Sequence, residues 1–490
     1  MGPGWRDVSA GPSSRLCGML LRHGVHYLVA RGLPGVLNFL AIAIYTRLLN
    51  PDQYGAYTLT IAAVGAADAV LLRWLRLTLL RFLPKAGNDA TTTLATLFRM
   101  YLALALGVSA LTIASAWLFI DNDFTRQLVL LGAGIFVVQG AFEITTERER
   151  SVLSPMRYGF YSGSKALIGL LIGAGLAAAG MGAIGLLIGL IASMLFPLIA
   201  LGGATEWLAA ARKRFDPELA RQLARYGLPL AATGALAFVI SSSDRFMLAG
   251  FIDQAAAGQY AVGYDLAQFT LGMLLTIVNL AAYPLIVSAF EKEGSAAAQQ
   301  MLRWTLRLLL VIGLPAAIGL SILAQNIAAV MVGAEFRAAA AVIIPGIAIA
   351  ALVAGLKSFY LDLSFQLSGS TIIQVWIVII TASLNVGLNV LLIPRVGILG
   401  AVYATLAAQL VAMLLSWGFG RREFVVPLPD KEAFPIFLAA AAMGAGLVLI
   451  SGWRGPLALL AQVAIGVTLY ALCLLIIDRR FFHKLASYGS

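Results

Sequence analysis

Six basic side chains lie within or beside long apolar stretches of the sequence, where a charge is costly. They are Arg31, Arg73, Arg76, Lys165, Arg245 and Lys357. A charge in hydrocarbon costs roughly 2.5–3.5 kcal/mol even on a lenient scale, so such side chains usually face a cavity inside the protein. A guanidinium group grips phosphate oxygens through two parallel hydrogen bonds. We therefore treat these six residues as candidate contacts for an anionic substrate.

Three of these six residues have a plain alternative role. Arg31 can instead extend to lipid headgroups at the inner membrane surface. Arg73 and Arg76 recur with Arg81 and Lys85 at steps of three to five, which gives one basic helix face. Ordinary anchoring of a cytoplasmic loop by positive charge explains that run equally well.

Five acidic residues have a similar setting. They are Asp68, Glu143, Asp244, Asp265 and Asp362. A carboxylate in apolar surroundings takes up and releases a proton more readily near neutral pH, so each is a candidate ion-coupling residue. The alternative is structural: pairing with Arg73, Lys165 or Lys357, and a clamp of the Asp244–Arg245 stretch on the next helix through Asp265.

Composition restricts the kind of protein that holds these charges. Of 490 residues, 60% are hydrophobic and 12% are charged, against roughly 25% charged in soluble domains. The sequence has no P-loop, no HExxH and no Cys/His cluster, so we expect no cofactor, no metal and no ATP hydrolysis. The net charge of +11 is spread over alternate loops, so we expect no nucleic-acid partner.

Apolar segments of about 20 residues, the length that crosses a bilayer as a helix, recur along the chain. The sequence predicts an all-α membrane protein with about fourteen spans, near Val25–Leu48, Tyr54–Leu72, Phe98–Leu118, Leu128–Thr146, Tyr158–Ala179, Ala183–Leu201, Tyr226–Phe251, Tyr260–Phe290, Leu302–Leu323, Ala338–Leu361, Ile372–Ile393, Leu399–Phe419, Phe434–Ile450 and Pro456–Ile477.

The distribution of Lys and Arg predicts the orientation. Every second loop is basic, and basic loops stay in the cytoplasm. The other set of loops is short and holds only Arg47, Arg126, Arg337, Arg395 and Arg454. We expect both termini to be cytoplasmic, with no room for a catalytic domain in the outer loops.

Two pieces of the chain recur, which is a common sign of a transporter. Gly258 of FIDQAAAGQYAVG lies 203 positions after Gly55 of RLLNPDQYGAYTL, and Gly397 of PRVGILGAVYATL lies 215 positions after Gly182 of GMGAIGLLIG. Each copy spans six helices, so the copies run parallel. We expect two pseudo-symmetric six-helix lobes around a central cleft.

This repeat sets the expected domains. They are an N-terminal segment (1–24), an N-lobe (25–205), an amphipathic cytoplasmic linker helix (206–225), a C-lobe (226–420), two further spans (421–478) and a cytoplasmic tail (479–490).

Three stretches resemble the Wzx-type flippases of the multidrug/oligosaccharidyl-lipid/polysaccharide (MOP) exporter superfamily. They are Thr46–Leu59, Ser241–Ala267 and Leu388–Leu406, and with the fourteen-span layout they cover nearly the whole chain. The resemblance implies a bacterial inner-membrane flippase that moves an undecaprenyl-diphosphate-linked oligosaccharide to the periplasmic leaflet by alternating access, for surface polysaccharide such as exopolysaccharide or O-antigen. Its expected partners are that lipid, membrane lipids, and polysaccharide polymerase and chain-length proteins.

Two other functions stay open. A drug or cation antiporter of the same superfamily shares the twelve core spans but usually lacks the last two. A membrane polysaccharide polymerase or ligase needs a sizeable outer loop, which this sequence does not have.

Overall fold

The protein is all-helical over the part of the chain that the structure describes. This computed structural model describes residues 34–85, 90–151, 155–203, 205, 207, 212–429 and 433–477. The helices are α1 (Pro34–Leu48), α2 (Pro51–Leu71), α3 (Arg73–Phe82), α4 (Ala90–Phe119), α5 (Asp123–Ser151), α6 (Pro155–Leu176), α7 (Gly182–Ala200), α8 (Pro217–Phe251), α9 (Gln254–Glu293), α10 (Ser295–Ile322), α11 (Ala324–Met331), α12 (Arg337–Leu356), α13 (Leu363–Ser368), α14 (Thr371–Val396), α15 (Ile398–Glu423), α16 (Phe434–Ile450) and α17 (Pro456–Ile477).

These helices confirm the predicted fold class. Thirteen of the fourteen predicted spans coincide with one of them, and α1 covers the described part of the first, of which residues 25–33 lie outside the described ranges; α3, α11 and α13 are additional short helices. Ten helical stretches in the described ranges are long and apolar enough to cross a membrane, and α1 and α16 are shorter apolar helices. The chain is therefore a multi-pass membrane protein.

The internal repeat is visible in local backbone conformation. Asn50 caps the start of α2, and Asp253, 203 positions later, caps the start of α9. Gly182 and Gly397, 215 positions apart, both take positive φ angles, of 54° and 69°, at the turns before α7 and α15. An L side chain is strained at such angles, which explains glycine in both copies.

One predicted element differs. Residues 206–225 were expected to form a separate surface helix. Of these, residues 206 and 208–211 lie outside the described ranges, and Pro217 begins α8, which continues without interruption to Phe251. Asp216 accepts hydrogen bonds from the backbone N–H groups of Glu218 and Leu219, and Pro217 is suited to the first helical position. An Asp-Pro start signal therefore joins the end of the linker to the seventh span.

The two copies touch at the predicted periplasmic end, where α2 packs on α9. A Cβ at Gly55 would lie 2.0 Å from the Gln254 carbonyl oxygen, and one at Gly258 would lie 2.4 Å from the Pro51 carbonyl oxygen. The equivalent glycines of the repeat thus face each other. We call this surface the outer contact.

A second part of the outer contact joins the end of α1 to the turn after α11. The Gly333 N–H donates to Thr46 Oγ1 at 3.1 Å. The Arg47 guanidinium donates to the carbonyl oxygens of Val330 at 2.6 Å and Met331 at 3.1 Å. Backbone carbonyl groups of the second copy therefore hold the Arg47 side chain of the first copy in place.

The copies also touch at the opposite end, through α3. This short amphipathic helix follows α2 after a break at Leu72, and it packs on α5 of its own copy and on α8 of the other. A Cβ at Gly227 would lie 2.5 Å from the Trp74 ring and 2.8 Å from Thr78. We call this surface the inner contact.

Helices α16 and α17 form a hairpin that packs mainly on α10. Asn326 of α11 donates to Gln462 of α17 at 2.7 Å, and both side chains are buried. These helices are attached to the second copy through a polar contact in an otherwise apolar environment.

Candidate substrate and coupling site

Four of the predicted site residues form two ion pairs in the N-terminal copy. Asp68, at the end of α2, accepts two parallel hydrogen bonds of 2.7 Å from Arg76 of α3. Glu143 of α5 lies 3.8 Å from Lys165 of α6. The first pair is tighter and more buried, with exposed fractions of 12% for Arg76 and 11% for Asp68.

The pairing partly follows the sequence prediction. Lys165 does pair with Glu143, but the partner of Asp68 is Arg76, not Arg73. Arg73 is exposed at the start of α3. The remaining N-terminal candidate, Arg31, lies outside the described residues.

Arg245 and Asp265 form a tight pair in the second copy. Arg245 of α8 donates to Asp265 of α9 at 2.6 Å and lies over the Tyr264 ring. This is the clamp between the seventh and eighth spans that the sequence suggested. The Nε of Arg245 is buried without a hydrogen-bond partner, so the guanidinium has an unused donor. Tyr54 of the first copy lies close enough to interact electrostatically with this pair.

Asp244 is held differently, although it is the next residue along α8. Its carboxylate accepts hydrogen bonds from Tyr260 at 2.7 Å, Thr405 at 2.8 Å and Asn389 at 2.5 Å. Asn385 joins the cluster by accepting from Asn389 at 3.2 Å. Asp244 is 1% exposed, and its three donors are neutral. We call this group the Asp244 cluster.

The Asp244 cluster has no counterpart in the first copy. By the two repeat offsets, the positions that correspond to Asp244, Asn385, Asn389 and Thr405 are Ala41, Leu170, Ala174 and Leu190. These side chains are apolar and cannot bind a carboxylate. The first lobe has the same helix arrangement without these polar side chains, so the fold does not require them. This difference between the lobes favours a functional role for the Asp244 cluster.

Lys357 and Asp362 form a fourth pair, near the predicted cytoplasmic end of the second copy. Lys357 Nζ lies 2.8 Å from Asp362, which also accepts from Ser416 at 2.8 Å and Gln374 at 3.1 Å. Lys357 begins a π-helical segment, Lys357–Leu361, that follows α12. These contacts join three helices of one lobe, and they give the Asp362 carboxylate three hydrogen-bonding or ionic partners.

A family profile described as polysaccharide biosynthesis protein matches residues 44–341, which is more than half of the chain. The chain belongs to this family. Among curated proteins, none matches the sequence.

Solved structures give the fold of this polysaccharide biosynthesis protein. The lipid II flippase MurJ in an inward closed conformation is similar with a TM-score of 0.79 and 14% identity, over 94% of this chain and 100% of that one. A MATE family multidrug resistance transporter of the MOP superfamily is similar in its inward-facing conformation, with a TM-score of 0.61 and 13% identity over 81% of this chain and 97% of that one. A MATE family transporter in an outward-facing conformation is similar with a TM-score of 0.57 and 14% identity, over 85% of this chain and 98% of that one.

The polysaccharide biosynthesis protein therefore has the fold of these solved flippase and MOP superfamily structures. The profile match confirms the predicted polysaccharide family, and the solved structures confirm the fold expected from the resemblance.

Several residues that the structure brings together do not stand out in the sequence. Asn385 and Thr405 were not singled out as site residues, although Asn385 and Asn389 are spaced four apart on one face of an apolar span. That spacing was an available signal. Arg47 was assigned only as an outer-loop charge, because its acceptors lie more than 280 positions away in the chain.

Proposed function

We propose that the protein moves an undecaprenyl-diphosphate-linked oligosaccharide from the cytoplasmic to the periplasmic leaflet of a bacterial inner membrane, with both termini in the cytoplasm. The observation that carries the proposal is the polysaccharide biosynthesis match over residues 44–341. The length of the aligned region supports it. The lipid II flippase aligns with 94% of this chain, whereas the two MATE structures align with 81% and 85% of it. A drug antiporter with twelve spans would leave α16 and α17 unexplained.

The transported headgroup carries a diphosphate, so the route needs cations. Arg245 suits this role because its buried Nε has no hydrogen-bond partner and because Tyr54 of the other copy is nearby. A diphosphate oxygen can accept from this free N–H while Asp265 keeps the guanidinium in place. Arg73, Arg76, Lys165 and Lys357 stay proposed substrate contacts on the same route.

In an alternating-access cycle, the outer contact and the inner contact would open in turn. The outer contact separates the route from the periplasm, and its closure by backbone of both copies supports a rigid seal. The inner contact rests on one short helix, α3, which supports a movable cytoplasmic gate. Opening one contact while the other holds would expose the headgroup to one side at a time.

Asp244 is the carboxylate best suited to couple this cycle to an ion gradient. A buried anion with only neutral donors retains a large desolvation cost. A proton or a sodium ion that entered the Asp244 cluster would lower that cost, and the buried Oδ1 of Asn389, which has no hydrogen-bond partner, is available beside it. Asp68, Glu143, Asp265 and Asp362 stay candidates, but each already has a cation as its partner.

Deletion of the gene tests this function. We expect undecaprenyl-linked repeat units to accumulate in the cytoplasmic leaflet and one surface polysaccharide to be lost. Complementation with Arg245→Ala should fail at normal protein abundance, whereas Glu218→Gln, which removes an exposed charge from the start of the same helix, should restore the polysaccharide. Units that reach the periplasm in the deletion strain, with no second flippase gene present, would disprove the proposal.

A further inference from the structure

Helix α3 is placed to act as a gate between the two copies. Helix α2, with 21 residues, is about 31 Å long and can span the hydrocarbon by itself. Helix α3 follows it after Leu72, where φ is −117° and ψ is −26°. A helix that begins beyond a complete span, after a break, can turn about that break without disturbing the span.

The contacts of α3 with α8 are extensive but mostly apolar. The Arg81 guanidinium lies 4.1 Å from the centroid of the Tyr226 ring, and the Phe82 ring packs edge-on against the same tyrosine. Trp74 and Thr78 cover Gly227. Such surfaces fit together in one orientation of α3, so the orientation of α3 decides whether the inner contact is closed.

The Asp68–Arg76 pair fixes that orientation. It crosses the break at Leu72 and ties the second turn of α3 to the last turn of α2 through both carboxylate oxygens. In the described part of α3, this is the ion pair that bridges the break. If Arg76 released Asp68, α3 would lose its ion pair with α2. It would still pack on α5 of its own copy, but it could turn away from α8.

A diphosphate is a competitor of the right kind for Arg76. Like a carboxylate, it offers two oxygens to the guanidinium fork, but it carries more charge. Arg73 lies three residues earlier, on the same side of α3 and exposed, so a diphosphate can contact two guanidinium groups where Asp68 contacts one.

The neighbouring acids do not prevent this exchange. Glu143 and Glu147 are close enough to interact with Arg76. Glu143 pairs with Lys165 at 3.8 Å, and Glu147 pairs with Arg150 at 2.9 Å. Their charges are therefore compensated, and Asp68 is the acid that an incoming diphosphate must displace.

We propose that Asp68 is an internal substitute for the lipid diphosphate: it holds Arg76 and the inner contact closed until the diphosphate takes its place and releases α3. This rests on the proposed function, because it assumes a diphosphate-bearing lipid. Arg76 then reports substrate arrival to the gate, and Asp68 acts as a positioning residue that sets how readily the gate opens.

The test measures exposure of the inner contact in the full chain in lipid nanodiscs. Thr78 is buried against Gly227, so Thr78→Cys in a background with Cys17→Ser and Cys473→Ser reports separation of α3 from α8. The reagent is a water-soluble maleimide, and the probe is undecaprenyl diphosphate without sugar. We expect the probe to accelerate labelling at least about fivefold.

The Asp68→Asn variant removes the internal competitor. Labelling should then be at least fivefold faster without the probe, and the probe should add little. Glu218→Gln is the control, because it breaks only the exposed Glu218–Arg221 pair at the start of α8. Thr78→Cys should be labelled in this variant at the wild-type rate. If Asp68→Asn does not fold, Arg76→Lys decides: it keeps the charge, loses the fork, and should raise labelling without the probe.

Two outcomes overturn the inference. Labelling of Asp68→Asn, or of Arg76→Lys in its place, at the wild-type rate would mean that the pair does not hold the gate. No effect of undecaprenyl diphosphate on the wild type would mean that the lipid does not compete for Arg76. If the wild type still moves the oligosaccharide lipid in vesicles, the inference alone fails; if it does not, the proposed function fails as well.

Discussion

Replacing Gly258 with alanine should open the periplasmic side of the protein. The new Cβ would lie 2.4 Å from the Pro51 carbonyl oxygen and 2.7 Å from the Gly55 backbone nitrogen. Both neighbours are backbone atoms, which cannot rotate away as a side chain does. Since ordinary contact begins at about 3.4 Å, α2 and α9 must separate by about 1 Å.

The cost applies only to the state in which the outer contact is closed. Overpacking of this kind costs about 1–3 kcal/mol. Each 1.4 kcal/mol is a tenfold change in an equilibrium constant, so the ratio of closed to open molecules should fall about 5- to 150-fold. Gly258→Val should produce a larger shift, because it adds two more methyl groups at the same point.

Spin labels on the two copies can measure this shift. Asp121 and Glu335 are exposed at the predicted periplasmic side, one in each copy. We expect the distance distribution between nitroxides at these positions to gain a longer component in Gly258→Ala. Gly250→Ala is the matched control, because a Cβ there meets nothing within 4 Å. An unchanged distribution in Gly258→Ala would refute the claim that the outer contact closes through these glycines.

Three further substitutions have defined outcomes. Arg47→Gln removes charged hydrogen bonds to the Val330 and Met331 carbonyl oxygens, each worth about 1.5–3 kcal/mol, and should lengthen the same spin-label distance; no change would show that Arg47 does not hold the outer contact. Asp244→Asn should abolish the dependence of transport on an ion gradient in vesicles, at unchanged protein abundance; retained dependence would assign coupling to another acid. Arg245→Lys keeps a charge for Asp265 but loses Nε, and should slow transport at least about tenfold; a wild-type rate would remove this N–H from the substrate route.

The sequence predicted the helices well because their determinants are local. An apolar run of about 20 residues has few alternatives to a membrane helix. Repeated turn signals such as Asn50 and Asp253, or Gly182 and Gly397, act within a few residues. The start of α8 was missed because the basic 206–225 segment was assigned as a unit, although the Asp-Pro signal inside it was available.

The site was less predictable because its contacts are distant in the chain. Arg245 and Asp265 are 20 positions apart and on adjacent spans, so their pairing followed from the topology. Asp244 reaches Asn389 across 145 positions and Thr405 across 161, and only packing of four helices brings these together. The Asp68–Arg76 pair needed the break at Leu72, which no proline or glycine marks.

Direct transport by the purified protein tests the central claim. Vesicles would carry an undecaprenyl-diphosphate-linked oligosaccharide in both leaflets, and an impermeant glycosidase added outside would cut only the glycans it can reach. With the wild-type protein and an ion gradient, we expect the glycans of the inner leaflet to become accessible, and Arg245→Ala to prevent this. Glycans that stay protected in the presence of folded wild-type protein, under proton and sodium gradients alike, would contradict the account.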